Sequence, residues 1–341
     1  MSSILLIGPL TNKKNSSKSG GTVVLFELLL KELQEKKIAF NVIDTLKENY
    51  SNALFAYFSI LFQLIKQVRK HEYISLHATL NSFVVIGPMI IFLSKVFGKK
   101  TSIRKFAGNF NDIYENSNKI KKKCIEYVLV NSNANFFETK YLVKYFSKFN
   151  KNTYWFPNVR RLELVPSLPR KFKKRFVYIG TIIEEKGIDE LIDAISMIGN
   201  DYCVDIYGDI KDKKYSKIFF KEHNVTYKGP LVSNNVLQTM NSYDVLILPS
   251  HREGYPGVII EAFSLAIPSI ATKLEGILEM IEDNKNGLLI EVKNSHQLKN
   301  AILSMDETSY IKLSKNAGIS FSDFNSLEQT NLFLKRVGLD V

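Results

Sequence analysis

Glu253 and Glu261 are the residues whose type and spacing point most directly to chemistry. They frame the second part of the stretch Pro249–Glu261, which reads Pro-Ser-His-Arg-Glu-Gly-Tyr-Pro-Gly-Val-Ile-Ile-Glu, with seven residues between the two carboxylates. At ~1.5 Å of rise per residue they lie on the order of 10 Å apart along the path. That is too far for a pair sharing one proton, so the two serve separate tasks. Glu261 suits acceptance of hydrogen bonds from vicinal hydroxyls such as those of a ribose, and Glu253 from a group further along the same ligand. The structural alternative is that Glu253 caps a helix and Glu261 lies on a solvated helix face.

These side chains need a scaffold, and the flanking residues supply one. Val245–Leu248 is a short, branched apolar run, as expected of a buried parallel strand. Pro249 ends it, Pro256 suits a first helical turn, and Val258–Leu265 continues as a helix. A loop between the carboxyl end of a strand and a helix start is where open α/β sheets bind ligands, and the free N–H groups of such a helix favour a phosphate. A second place has the same order. Strand Ile4–Ile7 is followed by Gly8-Pro9, a polar loop Thr11–Ser19, the pair Gly20-Gly21 and a helix over Thr22–Leu33. The spacing is not the G-x-G-x-x-G dinucleotide fingerprint, and paired glycines before a helix also serve as a plain turn. His77 follows the strand Ile74–Leu76, which places it at a ligand edge; a lone histidine there also has a structural reading.

A chain of 341 residues, 45% hydrophobic and 23% charged, suits a globular protein of two domains. Cys124 and Cys203 lie far apart and form neither a metal cluster nor a disulfide framework, which fits a reducing compartment. The N-terminus lacks a basic leader region and reads as a first strand. The apolar runs Ala53–Ile65 and Phe83–Leu93 are too short to span a bilayer. The net charge of +12 is uneven: residues 1–170 hold 26 Lys+Arg against 11 Asp+Glu, and residues 171–341 hold 20 against 23. A surplus confined to one half suggests a polyanionic partner for that half, an anionic membrane or a nucleic acid, or else a lysine-rich solvated surface. No nucleic-acid-binding motif occurs, so nucleic acid is not expected.

The rest of the first half reads as strand Ile38–Ile43, apolar helix Ala53–Val68, apolar helix Phe83–Leu93 and strand Ser102–Phe106. Lysines 119 and 121–123 then precede an expected strand Tyr127–Val130, and Asn131-Ser132-Asn133 caps an expected helix Phe136–Phe149. Pro166 and Pro169 lie in an aperiodic linker over 159–171. The second half repeats the alternation: strands at Arg175–Ile179, Cys203–Tyr207, Val225–Tyr227, Val245–Leu248, Ser269–Ala271 and Leu288–Glu291, with helices expected at Asp189–Met197, Val236–Met240 and Glu279–Ile281. Strand alternating with helix predicts two doubly wound α/β units, residues 1–165 and 166–320. A C-terminal helix within 321–341 would pack back on the first.

The second half resembles the retaining glycosyltransferases of family 4. The resemblance runs through Gly180–Gly187, Gly208, Gly229, Tyr243-Asp244, Pro249-Ser250, Glu253-Gly254-Tyr255-Pro256, Glu261-Ala262, Gly276-Ile277-Leu278-Glu279 and Asn286-Gly287-Leu288. In the first half Gly20-Gly21 fits the family's glycine pair. The resemblance implies the GT-B fold, two Rossmann-like domains facing a central cleft, with a nucleotide sugar, UDP- or GDP-linked, held by the second domain. It assigns the ribose hydroxyls to Glu261, the donor sugar to Glu253 with Gly254, Tyr255 and Pro256, and the diphosphate to Lys186 and to the N–H groups of Gly20 and Gly21. It places Lys186, Glu253 and His77 as catalytic residues. One departure is clear: the family's arginine after the first strand's glycine is Thr181 here. A phosphate-facing cation is therefore missing, or comes from Arg252, Arg104 or Lys105.

The implied reaction moves a hexose from a nucleoside diphosphate sugar to a hydroxyl, with retention and without a metal, because Lys186, backbone N–H groups and a helix N-terminus oppose the charge growing on the leaving diphosphate. The basic first half and the family together imply a lipid-linked or oligosaccharide acceptor and an anionic membrane surface, with the protein cytoplasmic and peripheral on the inner face, in bacterial surface polysaccharide (O-antigen or capsule) synthesis. Two further readings share the fold: a nucleotide-sugar 2-epimerase, and a non-catalytic binding protein, for which the Thr181 departure speaks.

Overall fold

The computed structural model describes residues 3–13, 20–106, 108–166, 168–198, 202–223, 225–232 and 235–339. Residues 14–19 of the expected Thr11–Ser19 loop, and Ala107, lie outside them. The chain divides into two units: Met1–Val159 with Ser326–Val341, and Arg160–Asn325.

The first unit is built on β1 (Ile4–Gly8), β2 (Phe40–Asp44), β3 (Tyr73–Ala78), β4 (Lys100–Lys105), β5 (Ala134–Phe137) and β6 (Thr153–Trp155). All pair in parallel, in the order β2-β1-β3-β4-β5-β6. Its helices are α1 (Gly21–Glu35), α2 (Ala53–Gln67), α3 (Leu80–Val96), α4 (Phe110–Glu115), α5 (Lys119–Asn131) and α6 (Lys140–Phe146). Successive strand residues point to opposite faces, so Leu5 and Ile7 join one core while Ile4 and Leu6 join the other. The first face is covered by α2, α3 and α5 through Ile60, Leu64, Ile86, Ile90, Ile125 and Val128. The opposite face is covered by α1 and by the terminal helix Ser326–Val337, whose Phe333, Leu334 and Val337 meet Leu25 and Phe26. Ser326 Oγ also donates to Glu32 Oε1 at 2.5 Å, which satisfies an otherwise costly buried carboxylate.

Two elements differ from expectation. Residues 127–130 are the end of helix α5, not a strand, and Phe136-Phe137 belong to strand β5, not a helix. The buried residues Ile125, Val128 and Leu129 are spaced by three and four, so the apolar run Tyr127–Val130 continues a helical stripe begun among the lysines. Asn118 caps that helix through Lys121 N–H at 2.9 Å, and Thr139 caps α6 through Leu142 N–H at 3.0 Å.

The second unit carries β7 (Arg175–Ile179), β8 (Cys203–Tyr207), β9 (Thr226–Gly229), β10 (Val245–Leu248), β11 (Ser269–Thr272) and β12 (Gly287–Ile290) in the order β12-β11-β10-β7-β8-β9, again all parallel. Its helices are α7 (Ile188–Ser196), α8 (Lys217–Glu222), α9 (Val236–Met240), α10 (Gly257–Ser264), α11 (Glu275–Leu278), α12 (Ser295–Leu303) and α13 (Glu307–Ser320); the terminal helix is α14. The helix expected at Glu279–Ile281 sits earlier, as α11. The chain moves from β7 outward to β9, returns to β10 beside β7, and then proceeds the other way. The gap between the carboxyl ends of β7 and β10 is therefore the topological switch point, where such sheets open a crevice.

Candidate active site

At that switch point the loop after β7 and the loop after β10 are laced together. Val245 and Leu246 of β10 lie beside Phe176 and Val177 of β7. Beyond the strands, His251 N–H donates to Glu185 O at 2.9 Å. Gly187 has φ +71°, and a β-carbon added to it would lie 2.0 Å from Pro249 O. The short helical turn Glu184–Lys186 ends on this left-handed glycine, which then starts α7. Only a residue without a side chain lets the turn approach the Pro249 carbonyl so closely.

This close approach brings Lys186 to Glu253. Lys186 Nζ donates to Glu253 Oε1 at 2.6 Å, and Ser250 Oγ donates to the same oxygen at 2.8 Å. The side chains are only partly exposed, 26% for Lys186 and 13% for Glu253. The Glu253–Tyr255 turn is held from below: a β-carbon on Gly276 of α11 would meet Gly254 O at 1.7 Å. Tyr255 and Pro256 are buried, Gly254 and Arg252 exposed. Pro256 is the N-cap of α10 and not its first residue; no side chain caps that helix start and no carboxylate lies in its first turn. Those N–H groups keep their attraction for an anion.

Glu261 is the fifth residue of α10 and pairs with Arg160, whose Nε donates to Glu261 Oε1 at 2.7 Å. Arg160 lies against the start of the same helix, since a β-carbon on Gly257 would sit 2.1 Å from its Nη2. Arg160 is the functional candidate missed by reading along the chain. It stands in a linker 101 residues from its partner, and only the fold joins them. Thr181, where the resemblance expects arginine, is exposed, and its carbonyl accepts from the Tyr178 hydroxyl at 2.8 Å. Burial, with the Glu253 charge second, pushes that phenol well above its usual range, so Tyr178 remains a donor.

In the first unit Gly20 is the N-cap of α1, and Gly20 and Gly21 are both exposed. No side chain caps this helix and its first turn holds no acidic residue. Three other expected site residues are not available to a ligand in this structure. His77 lies inside β3, fully buried, with its ring centroid 5.0 Å from Phe26, 6.4 Å from Phe106 and 6.1 Å from Phe333. Its Nε2 is 3.1 Å from Ser75 Oγ. The strand is longer than its apolar run suggested, which moves His77 from the ligand edge into the core. Arg104 and Lys105 end β4, and the period of two sends one to each covered face. Arg104 donates to Pro157 O at 2.8 Å and stacks 3.7 Å from the Phe156 centroid, while the Lys105 ammonium donates to Phe106 O. Burial lowers the Arg104 pKa to about 9 and that of Lys105 to about 8, with Glu138 opposing both shifts. These cations are buried in the first unit, which leaves Arg252 as the exposed one of the three.

The buried imidazole has a measurable consequence. Burial, and secondly the Arg104 charge, hold the His77 pKa well below its ordinary value. The folded protein keeps it neutral, whereas the unfolded chain takes up a proton below about pH 6.5. Stability therefore falls as pH drops through that value, by about 1.4 kcal/mol per pH unit for this group until its depressed folded pKa is reached. Urea unfolding at pH 7.5 and 5.5 should show a smaller loss in His77→Gln than in the parent protein. An identical loss in both would show that His77 titrates freely in the folded state.

Residues 161–318 match the family described as glycosyl transferases group 1. The group 1 match lies within the second unit, and its range contains Lys186, Glu253 and Glu261. An uncharacterized glycosyltransferase of Methanocaldococcus jannaschii is 31% identical over 166 residues, 47% of this chain and 46% of that protein. The N,N'-diacetylbacillosaminyl-diphospho-undecaprenol alpha-1,3-N-acetylgalactosaminyltransferase of Campylobacter jejuni is 27% identical over 143 residues, 41% of this chain and 38% of that protein. The matches thus span under half the length of these relatives. The Anabaena protein HepE, solved with UDP, superposes with a TM-score of 0.74 at 15% identity, over 99% of this chain and 100% of that one. That likeness establishes the fold: two Rossmann-like α/β domains of the GT-B kind.

Proposed function

We propose that the chain is a retaining, family 4 glycosyltransferase that moves a hexose from a UDP- or GDP-sugar to a hydroxyl of a lipid-linked or oligosaccharide acceptor in surface polysaccharide synthesis. The observation that carries this is the Lys186–Glu253 pair at the switch point of the second sheet, inside the group 1 match, with Glu261 on the next helix. In the resting site each carboxylate has a cation, Lys186 for Glu253 and Arg160 for Glu261. An arriving diphosphate competes with Glu253 for Lys186. The exchange leaves Glu253 free to accept hydrogen bonds from the sugar and turns the lysine toward the leaving group. Arg160 holds Glu261 for the ribose hydroxyls.

Charge grows on the diphosphate as the glycosidic bond breaks, so Lys186 and the uncapped start of α10 stabilise the transition state more than the ground state. These groups do the work that a cation would otherwise do, and turnover should persist in EDTA. The undecaprenol-linked substrate in the name of the Campylobacter relative supports a lipid-linked acceptor, and the location proposed with it is the inner face of the cell membrane.

A screen of UDP- and GDP-sugars by thermal shift tests the donor assignment. A donor at about 100 times its Kd adds about 2.7 kcal/mol to the native state, a rise of several degrees. Glu261→Ala, which removes a ribose contact, should shrink that rise. Absence of a shift with every nucleotide sugar would favour a non-catalytic binding protein, the reading to which Thr181 points.

A further inference from the structure

Helices α2, α3 and α5 lie side by side on one face of the first sheet, and their outer surfaces are apolar. Adjacent packing is explicit: a β-carbon on Gly87 of α3 would lie 3.0 Å from Val128 of α5, and a groove of about 170 Å³ between α2 and α3 is lined by Leu54, Tyr57, Phe58, Leu61, Ile86 and Met89. The buried stripe of α2 is Ala56, Ile60 and Leu64. Its opposite, solvent-facing stripe is Leu54, Phe58, Phe62 and Ile65, and Phe58 and Phe62 are 65% and 69% exposed. On α3 the exposed stripe continues as Val85, Phe92 and Val96, and on α5 as Ile120, Tyr127 and Val130. A soluble helix places polar residues on that side, and a contiguous patch of this kind marks an interaction surface.

The rim decides what covers it. Lys66, Arg69 and Lys70 stand at the end of α2, and Lys95, Lys99 and Lys100 follow at the end of α3. Lysines 119 and 121–123 open α5. Residues 53–131 hold four acidic side chains, Glu72, Asp112, Glu115 and Glu126. The unit as a whole carries 25 Lys+Arg against 12 Asp+Glu, while the other carries 21 against 22. Apolar aromatics surrounded by cations match a surface whose interior is hydrocarbon and whose headgroups are anionic.

We propose that the α2–α3–α5 face docks on an anionic lipid bilayer, with Phe58 and Phe62 inserted among the acyl chains and the groove beside them taking a hydrocarbon segment. Docking here deepens the reading of a lipid-linked acceptor, yet it requires neither donor nor turnover. Vesicle binding and sugar transfer therefore fail separately. The test is sedimentation with phosphatidylcholine vesicles, with and without phosphatidylglycerol.

The parent protein should partition to the phosphatidylglycerol vesicles, more weakly as salt rises. Phe58→Ser combined with Phe62→Ser should lower that partition at least about tenfold, since two phenylalanines leave hydrocarbon. Lys66→Glu with Lys70→Glu should reduce binding to the level of neutral vesicles. All four positions are exposed, so the fold should survive, which circular dichroism checks. Phe58→Trp should show an emission quenched by brominated lipid, beyond any signal from Trp155, the one native tryptophan. Equal partition of parent and double-serine variant, equal binding to neutral and anionic vesicles, or an unquenched Phe58→Trp would overturn the proposal. So would a parent dimer that the serine changes split while vesicle binding stays absent, which would assign the face to self-association.

Discussion

Lys186→Ala is expected to lower kcat/KM for sugar transfer by about 10²–10³, the usual cost of removing one group that opposes charge developing in a transition state. The loss should fall on kcat, because the ammonium gains most from the charge that appears as the diphosphate departs. Glu261→Ala should act differently. It removes a ribose contact present in ground and transition states alike, so KM for the donor should rise with kcat nearly unchanged. Loss of a charged hydrogen bond of about 1.5–3 kcal/mol gives roughly a ten- to hundredfold change. Glu253→Gln keeps the shape of its side chain and separates two duties: if the carboxylate chiefly holds Lys186 in place, donor binding survives while kcat falls. Steady-state kinetics with a responsive donor from the thermal screen checks all three. Parent-like turnover in both Lys186→Ala and Glu261→Ala would remove the site assignment.

Gly187→Ala should cost more than about 3 kcal/mol of stability in the second unit, in the range reserved for named structural faults. Two penalties combine. The left-handed backbone at φ +71° costs an alanine about 1–2 kcal/mol, and the methyl would sit 2.0 Å from Pro249 O. Gly229 provides the control. It has φ +92°, and nothing lies within 4 Å of its added β-carbon. Gly229→Ala should therefore cost the backbone term alone, about 1–2 kcal/mol. Urea unfolding of the two variants measures the difference. Any folded Gly187→Ala protein should also bind donor poorly, because Pro249 must move and the following loop carries Glu253 with it. Equal destabilisation by the two substitutions would mean that the turn and the Pro249 loop are not in contact as described.

Strong local patterns translated well into elements. The branched run Val245–Leu248 is strand β10, and the loop and helix that follow it stand where Pro249 and the apolar run from Val258 indicated, with Pro256 just outside the helix as its N-cap. The same holds for β7 and for α1 after its glycine pair. The misreading at 127–137 came from short apolar runs, for which helix and strand periods are hard to separate. There the deciding information was which neighbours were buried, Ile125 below Val128 and Leu129, and not the run itself.

Site chemistry divides along a related line. Glu253, Glu261 and Lys186 sit on loops and helix starts that local sequence can locate, and the alternation of strand and helix is enough to place two of them at the carboxyl edge of a parallel sheet. Pairing belongs to the tertiary structure alone. Arg160 reaches Glu261 and Lys186 reaches Glu253 across 101 and 67 positions, because strands distant in the chain become neighbours in the sheet. Burial is decided there too. His77, Arg104 and Lys105 are polar residues near strand ends, and nothing in their immediate sequence distinguishes a cleft from a core. Helices from elsewhere close over them, the last of these, α14, arriving from the far end of the chain. The periods of helix and strand are short-range properties written in adjacent residues; solvent access and ion pairing depend on what packs against a residue, and that is set by topology.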